Sequence, residues 1–369
     1  MDYAFAPGGS PYDRDMHTLL GLRPGTTLVT PKQAGQPTIA AFLSYLANTA
    51  AIAKPVGDLV IASHGDDAGW MKIGLDDPAK ADADYERVEQ VDSAKTINVP
   101  SALINTTAGA PAMTIHIRGC RIGQAQPFMT LLKHAFGGTA KITAPLFFHQ
   151  LRRETSEGAF EYLGYSFGFP SKEAVVKRDD VIDAFQKLKL PFLDGTTKVP
   201  DDKWNDWIPP GVGTAHRKRE IYADLGQTIG KLGKRLKVSQ EFRHDVEPTE
   251  FDIDNQPTDP GTEAGRLALL KTSLPTDPRY KSTHPYPVYK RLGYATGDDY
   301  VDGYKWQFDF NAKAQTITCT GNRHYYTVIV PVTDLANGAL LYNFYPNTGS
   351  SVAAVTNLPD TNAQLFLTV

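Results

Sequence analysis

The chain has 369 residues, 41% of them hydrophobic and 21% charged, a composition typical of a soluble globular protein. Its formal net charge of −3 gives no overall attraction to nucleic acid or to an anionic membrane. No apolar stretch approaches the roughly 20 residues that span a bilayer, so the sequence predicts neither a nucleic-acid partner nor a membrane partner.

Cysteine content and the N-terminal residues bear on the compartment. Only Cys120 and Cys319 are present, which is too few for a disulfide framework and typical of a reducing environment. Residues 1–9 lack the basic start and the apolar run of a signal peptide. We therefore expect a cytoplasmic protein, and the length fits either two domains or one enlarged domain.

Residues 1–190 alternate strand-like and helix-like segments, which favours a mostly parallel sheet covered on both faces. Apolar side chains at helical spacing predict helices over Thr38–Ile52, between Cys120 and Gly137, and over Asp179–Leu190. Six β-branched or aromatic segments predict strands: Asp2–Ala6, Thr26–Thr30, Asp58–Ser63, Met113–Arg118, Lys141–His149 and Phe160–Phe169. The last two are joined only by the polar turn 152–158, so they alternatively form a hairpin at the sheet edge.

Residues 191–263 differ in character, and we interpret them as a charged connector. Residues 200–211 are loop-like, with Trp204 and Trp207 as anchors, and a basic, helix-like run then extends to residue 237. An acidic stretch that contains proline, Asp245–Glu263, completes this region.

The remaining residues, 264–369, read as a β-rich accessory domain with Cys319 packed inside its sheet. Its predicted strands are separated by Gly, Asn, Asp and Pro turns and are short: Trp306–Phe310, Thr316–Thr320, Tyr325–Val332, Ala339–Phe344 and Gln364–Val369.

Two of the predicted parallel strands end in a reactive side chain. His64 follows the strand Asp58–Ser63, and Cys120 follows the strand Met113–Arg118. Functional groups gather beyond the carboxyl ends of such strands, and a thiol within hydrogen-bond reach of an imidazole is an activated nucleophile. Either residue alone has an ordinary explanation, as a core histidine or a small buried hydrophobe.

The surroundings of the two residues favour catalysis. A helix directly after Cys120 would increase the thiolate fraction through its N-terminal dipole. Gly65 would let a backbone N–H approach a developing oxyanion, and the Cys120 amide would be the second donor.

The motifs Ser63-His64-Gly65 and Gly119-Cys120-Arg-Ile-Gly123 resemble those of the caspase-like cysteine peptidases. That group includes caspases, metacaspases, gingipains, separases and bacterial CHAT-type proteases, whose catalytic His and Cys follow consecutive strands in this order. The resemblance covers residues 1–190 and implies a caspase-like three-layer α/β sandwich with a mostly parallel six-stranded sheet. It implies His64 as general acid and base, Cys120 as nucleophile and Gly65 as oxyanion donor, with a protein or peptide substrate and no cofactor.

The motifs also depart from named subfamilies. Animal caspases have Gln-Ala-Cys where this chain has Arg118-Gly-Cys120, and the Asp-x-Cys of metacaspases is missing. Class I glutamine amidotransferases place Cys in a Gly-x-Cys-x-Gly turn with a later His-x-Glu. Here two residues separate Cys120 from Gly123, and His149 is followed by Gln150, so that alternative is weak.

Three residues are candidates for binding substrate. Alternation along the strand places Arg118 on the same face as Cys120, and in caspase-like enzymes that position helps to line the pocket for the residue before the cut. An Arg there would favour an acidic substrate residue; alternatively, it pairs with a carboxylate such as Asp66 or Asp67. Asp13 and Arg14, in the loop after the first strand, are further pocket candidates.

Two other functional classes stay open at this point. A binding or scaffold protein would keep the same fold with little turnover, and either form can have a regulatory protein partner. A metal-dependent hydrolase would recruit His64, Asp66 and Asp67 with His116 or His149, although this spacing matches no defined ligand signature. His116 alone is better explained as a core histidine.

Overall fold

The structure is a computed structural model that describes residues 1–107, 112–154, 156–175, 177–188, 201–210, 216–281 and 287–369. Its α-helices are α1 Pro11–Leu22, α2 Pro31–Ala34, α3 Ile39–Asn48, α4 Tyr85–Ala94, α5 Gln126–Ala135, α6 Arg178–Gln186, α7 Asp201–Trp207, α8 Glu263–Ser273, α9 Val288–Arg291 and α10 Gly297–Asp302. In the described residues, none of these helices is both long and apolar enough to cross a membrane.

Strands are numbered in chain order. They are β1 Asp2–Phe5, β2 Thr26–Val29, β3 Leu59–Ala62, β4 Gly65–Asp66, β5 Trp70–Met71, β6 Thr114–Arg118, β7 Lys141–Pro145, β8 Phe148–Glu154, β9 Gly158–Ser171, β10 Arg217–Ile229, β11 Gly233–Ile253, β12 Lys305–Asn311, β13 Thr316–Pro331, β14 Tyr342–Pro346, β15 Val355–Thr356 and β16 Phe366–Thr368.

The chain forms two compact units. Unit 1 contains Met1–Tyr165, Tyr222–Val238 and Pro331–Val369, and unit 2 contains Ser166–Ile221 and Ser239–Val330. This division differs from the predicted boundaries after residues 190 and 263, because the C-terminal residues belong to unit 1.

Unit 1 is built on a six-stranded sheet, sheet A, with strand order β16-β7-β6-β3-β1-β2. Strands β2, β1, β3, β6 and β7 pair in parallel, whereas β16 pairs antiparallel with β7. The predicted mixed α/β fold with a mostly parallel six-stranded sheet is therefore confirmed. The prediction that Phe160–Phe169 supplies the sixth strand is wrong, since β16 takes that place.

The hairpin alternative describes the next segment better. The predicted strand Lys141–His149 divides into β7 and β8, and β8 pairs antiparallel with β9. Strand β9 also pairs with β14, and β14 with β15, so unit 1 has antiparallel strands that are separate from sheet A.

Helices cover sheet A on both faces because side chains alternate along each strand. On one face, Ala4 and Val60 pack with Met16, Leu19 and Leu20 of α1. On the other face, Phe5 of β1 stacks on Phe42 of α3, with 4.8 Å between ring centroids. The helices α3 and α5 match the predicted helices after residue 38 and after Cys120.

Unit 2 contains an antiparallel sheet in which β13 pairs with both β11 and β12. Leu270 of α8 and Tyr300 of α10 share a core with Trp306, Ile317 and Cys319 of these strands. Cys319 is fully buried, as predicted.

The region interpreted as a connector is more ordered than the sequence indicated. The basic run is not a helix but forms β10 and β11, and β11 continues through the acidic stretch to Ile253. Trp204 and Trp207 are buried, and they lie in helix α7 rather than in a loop. Residue 155 of the predicted turn, residues 189–190 of the predicted helix, and 191–200 and 211–215 of the connector lie outside the described residues.

Candidate active site

The reactive residues follow β3 and β6, next to the point between β1 and β3 where the strand order of sheet A reverses. Chain order runs outward from β1 to β2, then from β3 to β6 and β7 on the other side. In open α/β sheets, the crevice outside the carboxyl ends of the strands at such a reversal is the usual binding site. The loops that follow β1, β3 and β6 all reach this edge.

His64 and Cys120 follow neighbouring strands in register. Ala62 of β3 pairs with Arg118 of β6, so two more residues along each strand lead to His64 and Cys120. The backbone N–H of Ser63 donates to the carbonyl of Arg118 at 2.9 Å, which continues this pairing beyond β3. A Cβ atom placed on Gly119 would lie 3.5 Å from the amide nitrogen of Gly65, so the two motifs are packed against each other.

The imidazole of His64 is held by a serine and a carboxylate. Its Nε2 atom lies 2.9 Å from Ser10 Oγ, and Ser10 Oγ lies 2.7 Å from Asp13 Oδ2. Because the single hydroxyl proton of Ser10 is donated to Asp13, Nε2 of His64 carries a proton and donates to Ser10. Nδ1 of His64 has no hydrogen-bond partner in the described part of the chain, so its lone pair is not engaged.

Ser10 and Asp13 occupy these positions because they start a helix. Ser10 is the N-cap of α1, and its side chain and the Asp13 side chain form a reciprocal capping box. The sequence predicts Asp13 and Arg14 as pocket residues. In the structure Asp13 is only 5% exposed and fixes Ser10, whereas Arg14 is exposed and donates to the carbonyl of Gly9 at 2.9 Å.

A second imidazole and carboxylate lie beside the cysteine. Nε2 of His149 is 2.9 Å from Glu161 Oε2, and Nδ1 of His149 is 2.9 Å from the hydroxyl of Tyr12. Cys120 Sγ donates to the backbone carbonyl of His149 at 3.7 Å. The Tyr12 ring also lies 4.9 Å from the His64 ring, so Tyr12 stands between the two histidines.

Burial and neighbouring charges shift the pKa values of Tyr12 and Glu161 in opposite directions. Burial raises the pKa of the Tyr12 hydroxyl well above its ordinary value, and negative charge at Cys120 and Glu161 adds to this rise. Burial would also raise the pKa of Glu161, but Arg118, His149 and Asn343 outweigh it and hold that pKa well below its ordinary value. Glu161 is therefore ionised and Tyr12 is neutral at physiological pH.

Arg118 is buried, with 2% of its side chain exposed. Its Nε lies 3.3 Å from Glu161 Oε2, and its Nη2 lies 2.7 Å from Asp360 Oδ1. The alternative that Arg118 pairs with a carboxylate is thus what the structure shows. The predicted partners are wrong, because Asp67 lies 3.2 Å from Arg121 and the carboxylates on Arg118 come from distant strands and loops.

His116 has the surroundings of a core histidine. Its Nδ1 lies 2.8 Å from Thr143 Oγ1 on the adjacent strand and 3.2 Å from Asp360 Oδ2. Within the described ranges, no group of three or more His, Cys, Asp or Glu residues is arranged to hold a metal ion. The ligand set considered for a metal-dependent hydrolase is therefore not assembled.

The immediate surroundings of Cys120 differ from the prediction in one respect. A helix does not follow directly: Arg121 adopts a left-handed conformation with φ 55°, a 3₁₀ turn covers Ile122–Gln124, and α5 begins only at Gln126. Gly65 also has a packing explanation, since a Cβ there would lie 3.2 Å from the carbonyl of Trp70 in the β4–β5 hairpin.

The sequence does not single out Ser10, Tyr12, Glu161 or Asp360, and it points to His149 only as a metal ligand or through the amidotransferase pattern. The first two had a local signal, because Ser10-Pro-Tyr12-Asp13 is a capping box with Pro at the first helical position. Glu161 and Asp360 had none, since only the fold brings them to Arg118.

No protein-family model, curated protein or solved structure matches the chain.

Proposed function

We propose that the protein is a cytoplasmic cysteine endopeptidase of the caspase-like kind, with Cys120 as nucleophile and His64 as general acid and base. The observation that carries the proposal is the parallel, in-register pairing of β3 and β6, which brings the two motifs to the same edge. Their order, His after one strand and Cys after the next, is the order that the caspase-like resemblance implies.

The proposed reaction proceeds through a thioester. The Cys120 thiolate attacks the scissile carbonyl, and the backbone amides of Gly65 and Cys120 stabilise the oxyanion. His64 protonates the leaving amine and then activates the water that hydrolyses the thioester. The bonds through Ser10 to Asp13 support this role, because they fix the imidazole with Nδ1 as the reacting nitrogen.

The predicted preference of Arg118 for an acidic substrate residue depends on what happens to Asp360. Asp360 already accepts two hydrogen bonds from Arg118, at 2.7 and 3.0 Å, so a substrate carboxylate must displace it or bind elsewhere. Cleavage of a peptide library tests this point. A preference for Asp or Glu before the cut supports the Arg118 pocket, and a preference for Lys or Arg contradicts it.

Labelling with a peptidyl electrophile tests the nucleophile, and the chain provides its own control. Burial, with a small contribution from Asp252, raises the pKa of Cys319 to about 12, so this thiol is unreactive at neutral pH. We expect labelling of Cys120 to exceed that of Cys319 by more than about 100-fold at pH 7, since the fraction of thiolate decides the rate. The Cys120→Ala variant should lose both labelling and peptide cleavage.

Equal labelling of the two cysteines, or cleavage that survives in Cys120→Ala, would contradict the proposal. A folded protein with an unreactive Cys120 would then be assigned as a binding or scaffold protein. Cleavage that survives in Cys120→Ala but stops with a chelator would instead select the metal-dependent hydrolase.

A further inference from the structure

The roles given to His64 do not include removal of the thiol proton, and a second candidate base, Tyr12, is linked to the cysteine through His149. Cys120 Sγ and the Tyr12 hydroxyl bond to two atoms of the same residue, the carbonyl oxygen and Nδ1 of His149. The negative charge of a Cys120 thiolate also acts on Tyr12, which places the two groups within electrostatic reach of each other.

The direction of the hydrogen bonds around His149 follows from its neighbours. Glu161 is ionised and can only accept, so Nε2 of His149 carries the proton and donates to it. Nδ1 of a neutral imidazole is then an acceptor, and the Tyr12 hydroxyl donates to it. The Tyr12 oxygen therefore keeps its lone pairs, which the bond to His149 does not use.

We propose that Tyr12, backed by the His149–Glu161 pair, removes the proton from Cys120. This inference extends the proposed function by assigning the activation of its nucleophile. The S–H group turns from the carbonyl of His149 to the Tyr12 oxygen. The S–H bond then breaks and its proton passes to that oxygen, while the Tyr12 proton passes to Nδ1 of His149. The products are a Cys120 thiolate and a His149 imidazolium paired with the Glu161 carboxylate. Tyr12 is neutral before and after, as its burial requires.

Two imidazoles then have separate tasks. His149 stores the thiol proton in a buried position, with 1% of its side chain exposed, where no substrate amine can reach it. His64 is partly exposed, exchanges protons with water and protonates the leaving amine. The charged or titratable groups that face Tyr12 from neighbouring elements are Asp13, His64, Arg118, Cys120, His149 and Glu161.

The test is the pH profile of Cys120 alkylation by iodoacetamide, measured in a Cys319→Ala background. Tyr12→Phe keeps the ring against His64 and removes only the hydroxyl. We expect it to slow alkylation at pH 7 by about tenfold, which equals a rise of about one pH unit in the midpoint of the profile. Tyr222→Phe, an exposed tyrosine in the same unit, should leave the profile unchanged.

The variant His64→Ala separates this inference from the proposed function. The relay predicts that His64→Ala keeps the wild-type alkylation profile and loses peptide cleavage. The relay is overturned if Tyr12→Phe has the same alkylation profile as the wild type. It is also overturned if the profile shifts in His64→Ala but not in Tyr12→Phe, because His64 would then be the group that removes the thiol proton. A shifted Tyr12→Phe profile without peptide cleavage in the wild type would support the relay and reject the endopeptidase.

Discussion

The two faces of sheet A differ in chemistry, although alternating residues of the same strands form both of them. Ile115 and Ile117 of β6 are fully buried on the face where Phe5 stacks on Phe42. His116 and Arg118, which alternate with them, lie on the face covered by α1, beside Asp360 and Glu161. One face of a single strand is apolar, and the other contains a connected set of buried charges.

This difference separates stability from positioning. Apolar burial stabilises a fold without regard to direction, at about 25 cal/mol per Å². Buried ion pairs contribute little net stability, because desolvation offsets their attraction, but their geometry is fixed. On the charged face, that fixed geometry extends from Asp360 through Arg118, Glu161 and His149 to Tyr12, and the backbone carbonyl of His149 also accepts a hydrogen bond from Cys120. We infer that the apolar face holds sheet A together and that the charged face orients the site.

The largest expected effect tests the apolar face. Phe42→Ala removes a ring that is fully buried against Phe5, so we expect a loss of about 4 kcal/mol in the free energy of unfolding. Urea denaturation at pH 7 and at pH 4 should give the same loss, because no titratable group is involved. Where the variant is folded, Cys120 should be alkylated at the wild-type rate. A strong pH dependence of this loss would contradict the division between the faces.

The next effect tests the charged face through its dependence on pH. The folded-state pKa of Glu161 lies below its unfolded value, so its ionisation stabilises the fold above about pH 4.3, the unfolded value. That stabilisation falls as the pH drops from there towards the lower folded value. Glu161→Gln should therefore destabilise the protein by about 2 kcal/mol at pH 7, as expected for a buried hydrogen bond to a charged group.

Acid titration of the same variant is the decisive comparison. The loss in Glu161→Gln should shrink as the pH falls below about 4.3, because the unfolded wild type then takes up a proton that the folded protein does not, which reduces the stabilisation from this charge. A loss that is equal at pH 7 and pH 3 would mean that Glu161 acts through packing alone, and the proposed distinction between the faces would be wrong.

The sequence predicts the apolar face better than the charged one, for physical reasons. Apolar runs report burial locally, so β1, β2, β3, β6 and β7 are found close to their predicted positions. The sequence also predicts the sixth strand, as the segment Gln364–Val369, but places it in the C-terminal accessory domain. Its partner β7 lies far away along the chain, and no local pattern specifies a long-range antiparallel pair.

The sequence predicts a helix for the basic segment because its many charged side chains conceal the two-residue period of a strand. In β10, buried Ala223 and Leu225 alternate with exposed residues, which is the strand period of two. The basic side chains around them resemble a solvated helix when this alternation is ignored. Strand ends mark His64 and Cys120 in the sequence, whereas Glu161 and Asp360 reach Arg118 only through tertiary contacts.

The smallest expected effect on stability is at the edge of the charged face, where Ser10 has two roles. Ser10 is the N-cap of α1, so Ser10→Ala should lower the free energy of unfolding by about 1 kcal/mol. Thr296→Ala is a matched control, because Thr296 forms the same capping box with Asp299 at the start of α10 in unit 2. Thermal unfolding should show similar losses in both variants.

Only Ser10 also accepts a hydrogen bond from His64, so only Ser10→Ala should reduce peptide cleavage, by about tenfold or more for a misoriented acid or base. Ser10→Thr, which keeps the hydroxyl, should restore much of that activity. Equal cleavage in Ser10→Ala and Thr296→Ala would show that the serine only caps its helix, and the orientation of His64 would then need another source.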